Sequence, residues 1–552
     1  MSLYDQLKLL YDQGLYSNVA TLASMILTVG ENTPEMLTFT MKYQTLVYYA
    51  DSLVSLKEYK KAESLYRKAL QLKKSLAKNK GKTQPFPQGE VTSEVDVKFK
   101  AHQCLVNLKQ YPQAIALLET ISAKQRTPSV NMALAKLYHQ NGMERSAITS
   151  YKEVLKECPF AVEAAEGLLT LGVKVTEVIA LMFSGPVNVV NIDWLSIWIR
   201  GQAHFHSREL LQAISLFKQL DMKSPLRDNL DVLIALGEAY YYHGDYQNAL
   251  CFLERAYCSD PLSVKGMDVY AALLAKEKKL KELESLTAHL ISINDAVPEP
   301  WIAMAYFCYA TKKGTKAVNF AQKACVLNPR HVEALLLKGT VLLELKRIQD
   351  AISNFVEASK IAPYRYEVHK GMVDGYLALH RTREAIVVAS TACKQLGQNA
   401  RALTLYASVL MKDPLNTVKA KAKSLLEKAL KQDPTYLNAV YLLAAIYEQE
   451  RLYEKGIELL KRQMEQQTSC RLHQMLGDFL ARTNEHEKAL HHFSIALNMD
   501  PSNRKAVEGS QRVEQNPESS ESFEVDDIPD SENEGDLEES EVEAVWSDAD
   551  YT

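Results

Sequence analysis

The residues best spaced for chemistry are His486-Glu487-Lys488-Ala489-Leu490-His491. A zinc-protease helix sets two histidines four residues apart on one face, around a glutamate that works as general base. Here the histidines stand five apart and point to different faces of a helix, so no zinc is expected from them. Gly81-Lys82-Thr83 ends like a phosphate-binding loop, but the glycine required five residues earlier is Leu76, and Pro85 follows where a helix should start. Neither G-x-G-x-x-G nor G-x-S-x-G occurs. Eight cysteines (Cys104, Cys158, Cys251, Cys258, Cys308, Cys325, Cys393, Cys470) are scattered without a C-x-x-C pair and read as reduced, small core residues of an intracellular protein. No catalytic centre, metal or cofactor is expected.

The elements that must position any functional residue are helices. Among 552 residues there are only 21 glycines and 18 prolines, a shortage of turn formers, while 47% apolar and 24% charged residues suit a large buried core. At this length one compact core is not expected. Met-Ser-Leu-Tyr-Asp opens the chain without a basic n-region, and no run of 18 apolar residues occurs, which disfavours secretion and membrane spanning. Charge is uneven. Residues 515–552 hold 15 Asp or Glu and no Lys or Arg, leaving 53 acids against 64 bases in the body, a net +11.

A repeat of 34 residues accounts for the helices. Pro329 and Pro363 lie 34 apart, preceded at five residues by Ala324 and Ala358 and at twelve by Ala317 and Ala351. Two periods before Pro329 stands Pro261, with Ala256, Ala249, Tyr240 and Leu236-Gly237 ahead of it. Large residue, Leu-Gly, Tyr, Ala, large residue, Ala, Pro is the tetratricopeptide pattern. Small residues at positions eight, twenty and twenty-seven let two helices approach to about 8–10 Å, and proline at position thirty-two stops the second helix. The frame recurs through Ala429 and Pro434 to Ala496 and Pro501, about fourteen hairpins in all, with the amphipathic segment 503–514 as a polar-faced cap. The expected fold is all-α: a tetratricopeptide-repeat, right-handed superhelical solenoid with a disordered acidic tail.

Boundaries follow from breaks in that frame. Residues 1–165 form the N-terminal repeats, with a Lys, Pro and Gly-rich mobile loop inserted at 75–94. Residues 166–193 are a degenerate repeat and hinge, and 194–502 are the C-terminal repeats with a protein-binding groove. Around Lys412 to Thr417 the spacing lengthens by three. In 515–552 the like charges and sparse apolar residues disfavour folding, and Ser531, Ser540 and Ser547 each have an acid three residues on, the pattern acidophilic kinases accept. Lys73, Lys74, Lys78, Lys80 and Lys82 read either as a nuclear import address or as a solvated loop. Nucleic-acid binding is the weaker reading of the basic body, since its charges are spread over many repeats.

Such a stack presents a long inner surface that binds peptides and proteins. Positions two, five and nine of each first helix face inward, which sets Glu367, Lys370, Asp374, Asn438, Tyr441, Gln474 and Asp478 along one wall, an acid-rich one suited to a basic tail. No polar helix precedes the first hairpin, so its apolar side (Leu3, Leu7, Val19, Leu22, Met25, Ile26) needs a neighbour, and much of that set is also the hairpin's own core. The rival class is a cochaperone or transport adaptor that binds peptide tails. A cochaperone clamps a carboxylate with Lys and Asn one turn apart, and the nearest pair here, Lys370 with Asp374, would repel it.

Tyr4-Asp5-Gln6-Leu7 with Tyr11-Asp12-Gln13-Gly14-Leu15-Tyr16, the order of regular and degenerate repeats and the acidic end resemble the subunit 7 family of the anaphase-promoting complex, the cyclosome. The resemblance covers essentially the whole chain. It implies a non-catalytic scaffold subunit of a cullin-RING ubiquitin ligase that controls mitosis and cell division by ubiquitin-dependent degradation, working in nucleus and cytoplasm and at the spindle. It further implies a homodimer through the N-terminal repeats, other tetratricopeptide subunits as partners, and coactivator tails ending in Ile-Arg as ligands of a C-terminal groove in some members.

Overall fold

The computed structural model describes residues 3–33, 37–78, 91–183, 192–412 and 419–515. Among them 29 α-helices follow one another without a strand, as fourteen antiparallel hairpins closed by the single helix Arg504–Gln515. The expected segment 503–514 is therefore the cap. The candidate phosphorylation sites Ser531, Ser540 and Ser547, with the rest of the acidic tail, lie outside the described residues.

Each hairpin closes by burying small residues where its helices cross. Leu236, Tyr240, Ala249 and Ala256 are buried within one hairpin, and Ala324, Ala358, Ala429 and Ala496 have no exposed surface. Gly237 shows why the position is small: a Cβ there would stand 2.5 Å from Cγ of Leu253, well inside contact distance. The cap is held the same way, because a Cβ on Gly477 or Gly509 would fall 2.7 or 2.6 Å from the ring of Phe493. Pro261, Pro329, Pro363, Pro434 and Pro501 each stand two residues beyond the end of a second helix (Ser259, Leu327, Ile361, Gln432, Met499). Lacking an N–H, they cannot continue it.

The turn between the two helices of a hairpin has its own signature. Gly244, Lys278, Lys312, Lys346 and His380 recur every 34 residues with φ of 97°, 57°, 59°, 59° and 57°. The amide after each closes a six-residue turn onto the first helix, as in Lys279 to Leu274 O (3.0 Å) and Lys313 to Cys308 O (2.8 Å). A side chain at positive φ costs about 1–2 kcal/mol. The lysines offset part of it at the negative end of the first helix dipole.

The chain groups into two compact units, Met1–Val341 and Leu342–Thr552. The boundary falls within helix Val332–Glu344. Residues 166–183 complete a short hairpin of two nine-residue helices, Val162–Thr170 and Val175–Phe183, and 184–191, where the frame breaks and a hinge is expected, lie outside the described residues. The inserted loop is also shorter than 75–94: helix Tyr59–Lys78 runs four residues into it, Glu94 begins the next helix, and 79–90 lie outside the described residues. Residues 413–418, where the frame lengthens, lie outside them as well.

In the first unit the opening hairpins share a partly buried carboxylate. Asp51 accepts from Tyr11 Oη (2.8 Å) and Tyr66 Oη (2.5 Å) and pairs with Lys100 Nζ (2.7 Å), tying four helices of three hairpins together. Burial first, then the Asp51 charge, raises both phenols far above the usual tyrosine range, which keeps them as donors. Further along the same unit, Arg330 donates to the carbonyls of Gln140 (3.3 Å) and His139 (3.5 Å), about 190 residues upstream. The cysteines divide: Cys104, Cys308 and Cys393 are buried thiols as expected, but Cys158, Cys251 and Cys258 are exposed, lying on or just past the outward face of a second helix.

Ala256 is fully buried beside Leu233 and Ile234. Ala256→Leu is expected to destabilise the chain by about 1–3 kcal/mol through overpacking, read as a lowered midpoint in thermal denaturation.

Candidate protein-binding surfaces

In the second unit the expected wall is built by three first helices. Tyr366–Ala378 carries Glu367, Lys370 and Asp374, Leu437–Gln449 carries Asn438 and Tyr441, and Cys470–Arg482 carries Gln474 and Asp478. Its charge differs from expectation. Arg365, itself buried, donates Nε to Glu367 at 3.0 Å. Burial alone would raise the Glu367 carboxyl, but the Arg365 guanidinium, helped by Arg401, holds it below the usual range. Gln474 donates to Asp478 at 2.6 Å, and Arg512 from the cap helix reaches its other oxygen at 4.0 Å. Burial pushes Asp478 up to about 6 against the pull of Gln474, Arg512 and Arg482. Arg482 is held in turn by Glu448 at 2.9 Å.

The acid-rich wall is thus a mixed one, because arginines from the preceding turn and from the cap fold onto its carboxylates. Asp374, Lys370 and Asn438 remain exposed. Tyr441 shares a hydrogen bond with Ser469 (3.0 Å) under the guanidinium of Arg471, 4.5 Å from the ring centre. That arrangement offers an aromatic face and both signs of charge to an incoming segment.

The denser acidic site lies in the first unit. Glu238, Asp268, Glu299 and Glu333 come from four consecutive first helices, Leu230–His243, Met267–Lys276, Pro298–Ala310 and Val332–Glu344. Asp268 and Glu333 are buried, 7% and 5% exposed. A histidine and a lysine face them. His331 Nε2 stands 3.6 Å from Asp268, and Lys265 bonds Asp231 at 2.8 Å. Shelter from water raises Glu238 to about 7, with Asp268 and Glu333 adding to the rise and Lys265 opposing it. Glu299 is raised by burial and by Asp268, with His331 pulling it down. Next to this cluster Trp198 Nε1 donates to Glu166 at 3.1 Å.

These carboxylates sit at positions two, five and nine of their repeats, the inward positions that identified the second-unit wall. Applying that rule to the repeats from Asp231 to Glu333 would have found them. A groove that gathers carboxylates from four consecutive repeats favours a ligand that brings positive charge, since a partner cation relieves their mutual repulsion.

The third surface is the first hairpin. Leu7, Val19 and Ile26 pack with Ala23 and Tyr48 as the hairpin's own core, and Leu22 is half-buried. Leu7, Val19 and Ile26 are interior, which corrects the six-residue face, while Leu22 is partly exposed. Leu3 (62% exposed) and Met25 (60%) remain outside, joined by Val29 (48%). Leu22, Met25 and Val29 follow one another at three and four residues, a single stripe on helix Tyr16–Asn32.

Comparison with known proteins agrees with this architecture. Family models described as Tetratricopeptide repeat match residues 44–76 and 420–478. Anaphase-promoting complex subunit 7 of Homo sapiens is 43% identical over 99% of this chain and 99% of its own length. The protein of that name from Arabidopsis thaliana is 28% identical over 92% and 93%. Among solved structures, one chain of the APC/C hetero-tetramer Cut9-Hcn1 superposes with a TM-score of 0.55 at 15% identity, over 93% of this chain and 96% of that one, a likeness of fold.

The raised carboxyl in the first-unit groove yields a pH test. A folded-state pKa of about 7 lies above the ordinary glutamate value, so ionised Glu238 opposes folding, fully above pH 7 and progressively less toward pH 4.5. Glu238→Gln should raise stability at pH 8 by about 1–3 kcal/mol and change it little near pH 5, measured by thermal denaturation at the two pH values.

Proposed function

We propose that this chain, which belongs to the anaphase-promoting complex subunit 7 family, is a non-catalytic scaffold of that complex, holding other subunits of a ubiquitin ligase in place during mitosis. The observation that carries the reading is the near-continuous run of fourteen hairpins with a cap, whose inward positions place charged side chains along grooves rather than around one reacting centre. Stacked repeats supply long surfaces for partner segments. The partners are other tetratricopeptide subunits, and the workplace is the nucleus and cytoplasm of dividing cells, the spindle included.

Two finer assignments follow. Coactivator C-terminal tails fit the second-unit wall, where exposed Asp374 and half-buried Asp478 offer carboxylates to a basic end and Tyr441 offers a ring. A second copy of the chain fits the stripe of Leu3, Leu22, Met25 and Val29, because an apolar stripe at the end of a repeat stack gains from being covered.

Two experiments test these assignments. Tagged full-length chain purified from mitotic cells should bring down cullin and RING subunits, whereas recovery of chaperones in their place would favour a cochaperone or transport adaptor. Met25→Asp combined with Val29→Asp should convert the full chain from a dimer to a species of one 62.2 kDa chain in sedimentation, with unchanged helical content in circular dichroism because both residues are exposed in the single chain.

A further inference from the structure

Three Ser or Thr residues of this chain precede a proline: Thr33, Thr127 and Ser224. Only the last has a basic residue at the third position after it, in Ser224-Pro225-Leu226-Arg227. Proline-directed kinases select that pattern, because proline lacks the N–H that a substrate would otherwise bury unpaired in the kinase cleft and the cation pairs with a kinase acid. The four residues fall in the connection 224–229, between helix Leu210–Lys223 and helix Leu230–His243. Pro225 and Arg227 are exposed, and Ser224 and Leu226 are half-buried.

The connection is closed by polar contacts that a serine hydroxyl suits. Ser224 Oγ donates to Leu220 O (2.7 Å), one turn back in the helix, and accepts from Leu226 N (3.1 Å). Arg255, from helix Tyr246–Ser259, donates through both terminal nitrogens to Asp221 (3.2 and 3.1 Å) and through one of them to Asp228. Asp221 is buried, and its Oδ1 also accepts the amide of Asp228 (3.2 Å), a residue at φ 57°. One guanidinium thus holds the end of a hairpin and the turn into the next.

We propose that Ser224 is a phosphorylation site and that its phosphate unlocks this joint. A proline-directed kinase supplies the group from Mg-ATP: Ser224 Oγ bonds to the γ-phosphorus, the bond from that phosphorus to the β–γ bridging oxygen breaks, ADP leaves with the electron pair, and the hydroxyl proton passes to the kinase's base. The ester oxygen then has no proton to give Leu220 O. A charge of about −1.5 to −2 stands at the negative end of the helix dipole, one turn from Asp221, and both repel it. The phosphate also competes for Arg255, whose departure leaves the buried Asp221 carboxylate without its countercharge. The closed turn accommodates a hydroxyl and not a phosphate, so modification traps the open form that a kinase must bind.

The test incubates the full chain with a cyclin-dependent kinase and Mg-ATP and locates phosphate by mass spectrometry. Ser224 should be modified, and Arg227→Ala, which removes an exposed side chain, should slow that modification about tenfold. The phosphorylated chain should exchange the amides of residues 224–233 for deuterium about tenfold faster than the unmodified chain, and phosphatase should restore the slow rate. Arg255→Ala should give the faster exchange without kinase. No phosphate on Ser224, a rate indifferent to Arg227→Ala, or exchange unchanged by either the phosphate or Arg255→Ala would overturn the proposal. Phosphorylation is read on the unsubstituted chain, so the result stands even if Arg255→Ala folds poorly.

Discussion

Every hairpin of this protein depends on how closely two helices can approach. Gly237 against Leu253 and Gly477 against Phe493 leave no space for a Cβ, and the alanines at the other crossing positions are fully buried. That closeness makes each hairpin thin, and thinness lets the next one stack with its large residues filling the groove between. Phe493 serves both layers, lying against Gly477 of its own hairpin and Gly509 of the cap. The inner surfaces follow from the same constraint, because positions two, five and nine project inward only while the frame is held.

The turns show a second constraint that composition conceals. A first helix must reverse within very few residues, and the left-handed residue that allows this is glycine at Gly142 and Gly244 but lysine at Lys278, Lys312 and Lys346. The backbone bonds that close the turn are made in either case, so the side chain is free to be chosen for charge. The choice gives the turn edge a basic character, and Lys57 belongs to that series.

Much of the fold was legible because it is periodic. Alanines and prolines at fixed intervals located fourteen hairpins and the cap, and the inward-facing rule located the helices that build the second-unit wall. Pairing between side chains was not legible. Arg365 and Arg512 fold onto Glu367 and Asp478 from outside the repeat positions considered, so a wall read as acid-rich is mixed. The cluster around Glu238 followed the same rule, yet its perturbed acidity depends on four carboxylates from four repeats being brought together, which no single repeat displays. The first hairpin failed differently: Leu7 and Leu3 are the same residue type four apart, and only packing makes one interior and the other exposed.

A stack in which each layer holds only the next behaves mechanically as a spring, extended at small cost by sharing a slight rotation over many joints. The first unit has a cross-tie. Arg330 reaches the carbonyls of His139 and Gln140 from about 190 residues away, joining layers that share no crossing helices. The contact lies at the surface, where it can be released without unfolding either layer. Two long, exposed hydrogen bonds contribute at most about 1 kcal/mol each, so the tie favours the spacing at which these layers meet without fixing it.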